Sequence, residues 1–415
     1  MSSTLIVWTL LLAICTIIDG FYVNFQDSYT SGEKEFGRRR HPCKRHAPTS
    51  LLHMSSRLEN DRNTGLDSRE LKEQTQIAIE TLMAEHDPIL LFASRLLPPD
   101  KAEDASALYA WCRRPDEICD NEEDAADGMN LAPVRKNLEI WQTRFDALWS
   151  ANDDKYQSSD DYSNDDYLMD LALKRCIEKY QGQEGNANKS LLTRLPFDDM
   201  IEGMKSDAIE GRRIQTMQEL EVYSYRVAGT VGLMLLPLLL SKENNDSSFD
   251  QTLAAIEESR EPAISLGKAI QLVNILRGAT QDAKLGRIYL PQDMLSEEGV
   301  DEASILEVGL NPSSGVGAPD GYKKVVKQVS VRALEFLAIA EDGKDTLPGP
   351  FGPLFVQIIV ELYRDYLEEL DRRGYDNLSN TNGDGEDRVK ISTLRKLKAS
   401  WRAVAKVGKE FFETK

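Results

Sequence analysis

Positive charge is in deficit along this chain, and the shortage excludes a class of partner. The 415 residues carry a formal charge of −19. Binding to a phosphate backbone rests on Lys and Arg, so no nucleic-acid partner is expected. Cysteine is sparse as well: Cys15, Cys43, Cys112, Cys119 and Cys176. Two of these fall in an N-terminal leader. The other three are an odd number without metal-ligand spacing, since Cys112 and Cys119 stand a heptad apart rather than as C-x-x-C. Free thiols in a reducing compartment are expected. No apolar run reaches the ~20 residues that cross a bilayer comfortably. Residues 231–240 form the most apolar stretch of the body of the chain and read as a buried core helix. No segment alternates with period two for long enough to build a sheet, and no internal repeat is visible.

What is present is enough to fold. Apolar residues make up 41% of the chain and charged residues 29%, the balance of a protein with a core and a solvated surface. The first 53 residues hold six Lys/Arg and four acids, a net +2, so the remainder carries −21. That acidic excess keeps a protein soluble, and part of it can serve divalent cations.

The leader reads as targeting. Residues 5–18 are a largely apolar run that fits the h-region of a secretory signal, with Gly20 as a small residue at the cut. No Lys or Arg precedes the run, and Ile18 is a poor fit three residues before the cut. Residues 21–65 follow as a Ser-, Thr-, Arg- and His-bearing segment that includes Arg38-Arg39-Arg40-His41-Pro42-Cys43-Lys44-Arg45 and begins with Phe21. A signal followed by a basic, hydroxylated stretch resembles the two-part leaders of plastids of secondary origin, so a plastid address is expected. An ordinary secreted protein or a signal anchor is the competing reading.

From about residue 66 to 412 the spacing is helical throughout. Helices are predicted at 68–86, 89–97, 104–120, 135–149, 167–180, 197–210, 217–241, 250–258, 262–282, 291–298, 322–341, 354–373 and 393–411. Pro237 is expected to kink or end its helix, and Pro115 to force a kink or a new start. Polar inserts are expected at 121–130, 151–166, 184–189, 242–248 and 379–387. One all-α domain is predicted.

Two segments carry chemistry. In Arg113-Arg114-Pro115-Asp116-Glu117-Ile118-Cys119-Asp120, the carboxylates of Asp116 and Asp120 are four apart and share a helix face. Two like charges one turn apart repel, and a divalent cation turns that repulsion into a site. Mg²⁺ prefers one or two carboxylates plus substrate phosphate oxygens. Arg113, one turn earlier, can reach a diphosphate. Alone, such acid pairs are common on solvated helix ends. In the second segment Gln271, Asn274, Gly278 and Asp282 fall on one helical face. Gly278 there costs ~1 kcal/mol relative to Ala.

These stretches resemble the squalene/phytoene synthase family, on its phytoene synthase side. Further strings support the resemblance: Ala93-Ser94-Arg95-Leu96-Leu97-Pro98-Pro99, Asp199-Met200-Ile201-Glu202-Gly203-Met204 with Asp207, Tyr223-Ser224-Tyr225-Arg226-Val227-Ala228-Gly229-Thr230-Val231-Gly232-Leu233-Met234, and Gly374-Tyr375-Asp376-Asn377 with Arg388-Val389. Their order and spacing agree over roughly residues 70–410.

The resemblance implies an all-α isoprenoid synthase fold, a single helical domain around a central apolar channel. It implies head-to-head condensation of two geranylgeranyl diphosphates through a cyclopropyl intermediate, with Mg²⁺ (or Mn²⁺) as cofactor. Asp116 and Asp120 would hold metal, and Asn274 and Asp282 would line the second metal site with Gln271. Arg113, Arg277 and Arg388 would hold diphosphate. Tyr225 and Tyr363 would face the reacting centre, and small residues within 227–235 would let helices pack closely. Peripheral membrane association is expected from the greasy substrate and product.

The chain departs from the family at two places. The second motif resembles an Asp, two residues, Glu, Asp, but Gly278 and Gln281 replace the first two acids. Leu90-Leu91 stand where the family resembles Ser-Phe. Two alternatives to phytoene formation follow. One is an impaired paralogue that binds prenyl diphosphates or partner proteins, as assembly factors resembling this family do in mitochondria. The other is squalene synthase-like condensation of farnesyl diphosphate.

Overall fold

The structure, a computed structural model, describes residues 68–86, 97–120, 131–149, 164–181, 190–209, 211–241, 249–349, 351–379 and 388–413. The leader expected to carry a targeting signal, most of the helix expected at 89–97 with Leu90 and Leu91, and most of each polar insert lie outside the described residues. Among the described residues the chain is helical. Its only β pairing is an isolated antiparallel bridge between Gln181 and Ser190. The chain divides into two compact units: the residues up to Trp111 with Thr143–Lys179, and Cys112–Gln142 with Tyr180–Lys415.

The first unit contains α1 (Ser68–His86), the start of α2 (Pro99–Asp120), the end of α3 (Ala132–Leu148) and α4 (Asn164–Tyr180). Helical spacing puts Ile79, Leu82 and Met83 on one face of α1, where they are buried with Ala107, Ala110, Met169 and Ala172. The Trp111 and Phe145 rings lie 5.0 Å apart. Residues 164–166, expected in a polar insert, instead open α4. Asp166 is buried there and lies 3.6 Å from Arg144, which also donates to Asp170 at 2.7 Å. A fixed guanidinium partner explains why a polar stretch becomes helix.

The second unit runs through α5 (Leu195–Asp207), α6 (Met217–Ser224), a π-helical turn (Tyr225–Gly229), α7 (Thr230–Leu240) and α8 (Phe249–Lys284). It continues with α9 (Gln292–Glu297), α10 (Glu302–Leu310), α11 (Asp320–Asp342), α12 (Phe351–Arg372) and α13 (Thr393–Glu413). Helix α8 is central and packs on α7, α10, α11 and α12. Its Leu272, Val273 and Leu276 are buried with Val325, Val329, Ala333, Val360 and Leu370. The apolar stretch 231–240 is core as expected: Leu233, Met234, Leu236, Leu238 and Leu240 are buried.

Several boundaries differ from expectation. Helix 217–241 is broken by the π turn rather than by Pro237, which sits inside α7. Pro115 lies inside α2. The helices expected at 250–258 and 262–282 are one 36-residue helix with Pro262 inside. The Pro262 ring occupies the space a Cβ on Gly343 would need, so packing offsets the ~3 kcal/mol that an interior proline costs. Helix α10 was not expected. It is nucleated by Asp301, whose side chain accepts from the Ser304 N–H at 2.8 Å.

Small residues set the approach of α7 and α8. A Cβ at Gly267 would lie 2.5 Å from the Ala228 carbonyl oxygen and 2.6 Å from Gly229 Cα. A Cβ at Gly232 would lie 2.7 Å from the Ala263 oxygen. These contacts are with backbone and cannot yield by side-chain rotation. Gly267→Ala should destabilise the protein by about 1–3 kcal/mol, read from urea unfolding.

Helix α13 is docked by ion pairs. Arg402 reaches Glu361 and Asp365, each at 2.7 Å, and Arg395 reaches Glu369 at 3.0 Å. Lys406 and Arg364 meet on Glu341, each at 2.7 Å. Burial opposes ionisation of Glu341, but Arg364, Gln357 and Lys406 prevail and bring its carboxyl down from the ordinary 4.5 to about 2. A depressed folded pKa gives stability that is present above pH 4.5 and is lost as the pH falls toward 2. Glu341→Gln should lower Tm at pH 7 and flatten its fall across that acid window, measured by calorimetry.

Candidate functional site

The site residues named from sequence all belong to the second unit. At the end of α2, Arg113 stands 3.9 Å from Asp116 and 3.7 Å from Glu117, with the Asp116 carboxylate 43% exposed. Asp120 is the last residue of that helix. The Arg287 guanidinium donates to the Cys119 carbonyl at 3.4 Å, while its own N–H donates to the Asp282 carbonyl at 2.8 Å. One residue thus links the end of the first acidic segment to the end of the second.

On α8, Gln271, Asn274 and Asp282 are half-buried and Gly278 is buried. Gln281 is exposed, on another face. A Cβ on Gly278 would meet only the Asp282 carboxylate, at 3.7 Å. The backbone therefore tolerates a Cβ at the position where the family resemblance expects an acid. Among the described residues no three His, Cys, Asp or Glu side chains cluster to hold a metal. The donor set fits a metal only in part. The Asp116 carboxylate suits an ion that takes its other ligands from phosphate and water, and α8 likewise supplies a single carboxylate, Asp282.

The most developed feature is a pocket of cations. Arg277 stacks on the Tyr366 ring at 3.7 Å, donates to the Val389 carbonyl at 3.3 Å and to Asn274 Oδ1 at 3.4 Å. The Val389 N–H returns a bond to the Arg277 carbonyl at 3.0 Å. This pairing pins the segment before α13 along α8 and sets Arg388 beside Arg277. Burial, and secondarily Arg388, pulls the Arg277 pKa below its ordinary value, against the rings of Tyr366 and Tyr363. Burial, then Arg277 and Lys390, lowers Lys396. Arg388 Nε is buried with no hydrogen-bond partner. An unsatisfied buried donor costs about 1–3 kcal/mol, and an anion accepting from it would remove that cost.

Tyr363 belongs to this pocket, its ring edge-on to Tyr366 at 6.0 Å. Tyr225 does not. It opens the π turn, donates to Asp199 at 2.6 Å and packs beside Leu233, Leu236 and Leu240. Burial, then Asp199, pushes its pKa up to about 12.

Sequence reasoning missed Tyr366, Lys396 and Arg287. It also missed a buried cluster in which Asp207 accepts from Tyr223 at 2.7 Å and from Tyr289 at 3.3 Å. Burial raises the Asp207 pKa, opposed by Tyr223, Arg287 and Arg212. Tyr366 follows Tyr363 by three residues and so shares its face, a signal that was available. Lys396 had no signal, because only the Val389–Arg277 pairing brings it near. A cavity of about 20 Å³ behind Asp282, lined also by Arg287, Tyr289, Tyr322 and Asn377, has room for one water and not for a prenyl chain.

An all-helical fold with acidic helix ends beside a buried cation pocket defines a class, the isoprenoid synthase fold. Its solved members include a dehydrosqualene synthase, with TM-score 0.58 and 23% identity over 82% of this chain and 99% of that one. A squalene synthase from Alicyclobacillus acidocaldarius has TM-score 0.56 and 18% identity over 74% and 96% of the two chains. The squalene/phytoene synthase family model matches residues 83–395, and the chain belongs to that family. The chloroplast phytoene synthase of Narcissus pseudonarcissus is 29% identical over 76% of this chain and 62% of its own length. The phytoene synthase of Arthrospira platensis is 30% identical over 71% and 83%. The chain spans about three-fifths of the length of the phytoene synthases of Narcissus pseudonarcissus, Zea mays and an Oncidium hybrid cultivar.

The cation pocket should bind inorganic diphosphate. Arg388→Gln should weaken that binding at least about tenfold, by isothermal titration, with Tm little changed.

Proposed function

We propose that the protein is a prenyltransferase of the phytoene synthase type, joining two geranylgeranyl diphosphates head to head. The observation that carries this is the half-buried pair of guanidinium groups, Arg277 and Arg388, beside Asn274 on α8, with Arg388 Nε buried and unpartnered, in a chain whose relatives include phytoene synthases. The first step closes a cyclopropane and releases one diphosphate and one proton. The second opens the ring, releasing the other diphosphate and another proton, and leaves phytoene.

The chain's own groups have definite tasks in this scheme. Arg277 and Arg388 hold diphosphate and stabilise it as it leaves. Tyr366 and Asn274 orient Arg277. Asp116 and Asp120, with Asp282 across the site, would hold Mg²⁺ or Mn²⁺, which when bound neutralises the leaving diphosphate. The aromatic ring of Tyr363 stands beside these cations, placed to stabilise positive charge in the reacting chain. The scheme requires an apolar channel that would keep the prenyl tails out of reach of water. The expected plastid address is supported by relatives named chloroplastic.

A second reading has its own observation. Gly278 leaves Asp282 as the one carboxylate of its segment, so the chain would bind prenyl diphosphate and turn it over slowly or not at all. The purified protein with Mg²⁺ and geranylgeranyl diphosphate should yield phytoene. Farnesyl diphosphate as the better substrate would instead favour squalene-like chemistry. The variant Gly278→Asp/Gln281→Glu should reach half-maximal rate at about tenfold lower Mg²⁺. Product from the variant alone would establish the second reading, and product from neither would overturn the first.

A further inference from the structure

Helix α13 runs against the charge of the rest of the molecule. It carries six Lys/Arg and two Glu, a net +4, in a chain of −19, so everything else sums to −23. Its cations are divided between two faces. Arg395, Arg402 and Lys406 turn inward to the carboxylates of α11 and α12. The outward face carries Leu394, 61% exposed, and Trp401, 48% exposed, with half-buried Leu397 and Val404 between and beyond them. The spacing 394, 397, 401, 404 is a single apolar stripe. Lys398 and Lys409 are exposed along its edge, and Lys390 is exposed just before the helix.

We propose that this outer face of α13 docks on the surface of an anionic lipid bilayer. Charge complementarity selects the occupant. A tryptophan beside lysines whose long stems can lie along apolar surface suits the bilayer interface, with the ring at headgroup depth and the ammonium groups among lipid phosphates. The −23 on the remaining surface is repelled by the same lipids, so it orients the molecule. The outer face of α13 is thereby favoured to approach within the ~8 Å over which charges act at physiological salt. Because Val389, four residues before Thr393, is bonded to Arg277, docking also brings the cation pocket toward the lipid. Docking does not depend on turnover, so it can fail or hold whether or not the proposed condensation does.

The test is cosedimentation of the full chain with vesicles of phosphatidylcholine alone or mixed with phosphatidylglycerol. Binding should require phosphatidylglycerol and weaken with salt. It should fall at least about tenfold in Leu394→Ala/Trp401→Ala and in Lys398→Glu/Lys409→Glu. Brominated phosphatidylglycerol should quench tryptophan emission in the wild type and much less in Trp401→Phe, a variant conservative enough to keep the fold. Equal binding to neutral vesicles, undiminished binding by both paired variants, or quenching retained in Trp401→Phe would overturn the proposal. So would absence of lipid binding together with a dimer that Leu394→Ala/Trp401→Ala dissociates, which would make the stripe a self-interface.

Discussion

The backbone contact between α8 and the π turn with α7 is the constraint on which the rest of the second unit depends. Gly267 faces the Ala228 carbonyl and Gly229 Cα at distances that admit no methyl group, and Gly232 does the same against Ala263. Everything on α8 beyond that crossing inherits its position: Gln271, Asn274, Arg277 and Asp282 follow within about four turns. The π turn contributes its own displacement. By widening the helix at Tyr225–Gly229 it directs the Tyr225 hydroxyl to Asp199.

The site built on this frame is unbalanced in charge, and the imbalance is informative. The cationic side is preassembled. Arg277 is stacked, hydrogen-bonded and desolvated, and the segment that carries Arg388 is tied to the Arg277 carbonyl. The acidic side is lean, with Asp116 partly exposed and Asp282 without an acidic neighbour at 278. In the proposed scheme such a site would recognise the anion first and would depend on that anion for most of its affinity for a metal. Diphosphate and metal would then bind with positive coupling.

Helical periodicity made nearly every described helix legible, because an apolar face with a 3.6-residue period is a dense signal. What it could not show were features decided by a neighbour rather than by the segment itself. Pro262 reads as a break until Gly343 is known to leave room for its ring. The π turn leaves no mark, since one extra residue per turn alters no composition. Asp166 reads as insert until Arg144 is placed beside it. Within the site, the residues on α8 were legible from spacing and family strings together, whereas Lys396 and Arg287 depend on tertiary contacts with no counterpart in local sequence. Tyr225 was legible as a motif residue, but the structure puts its hydroxyl on Asp199 and not in the cation pocket. The all-α fold expected from sequence is borne out, and its described helices fall into two compact units, each with its own core.

Gly278 occupies a place where an added Cβ would meet only the Asp282 carboxylate, at van der Waals distance. Selection that acts only on folding is therefore almost blind to this position, in contrast to Gly267 and Gly232, where any side chain is felt at once. A lineage could drift between catalyst and quiet binder through position 278 while the packing of its core stayed the same. Divergence in this branch of the family would then leave its trace in the chemistry of one helix face and none in the architecture around it.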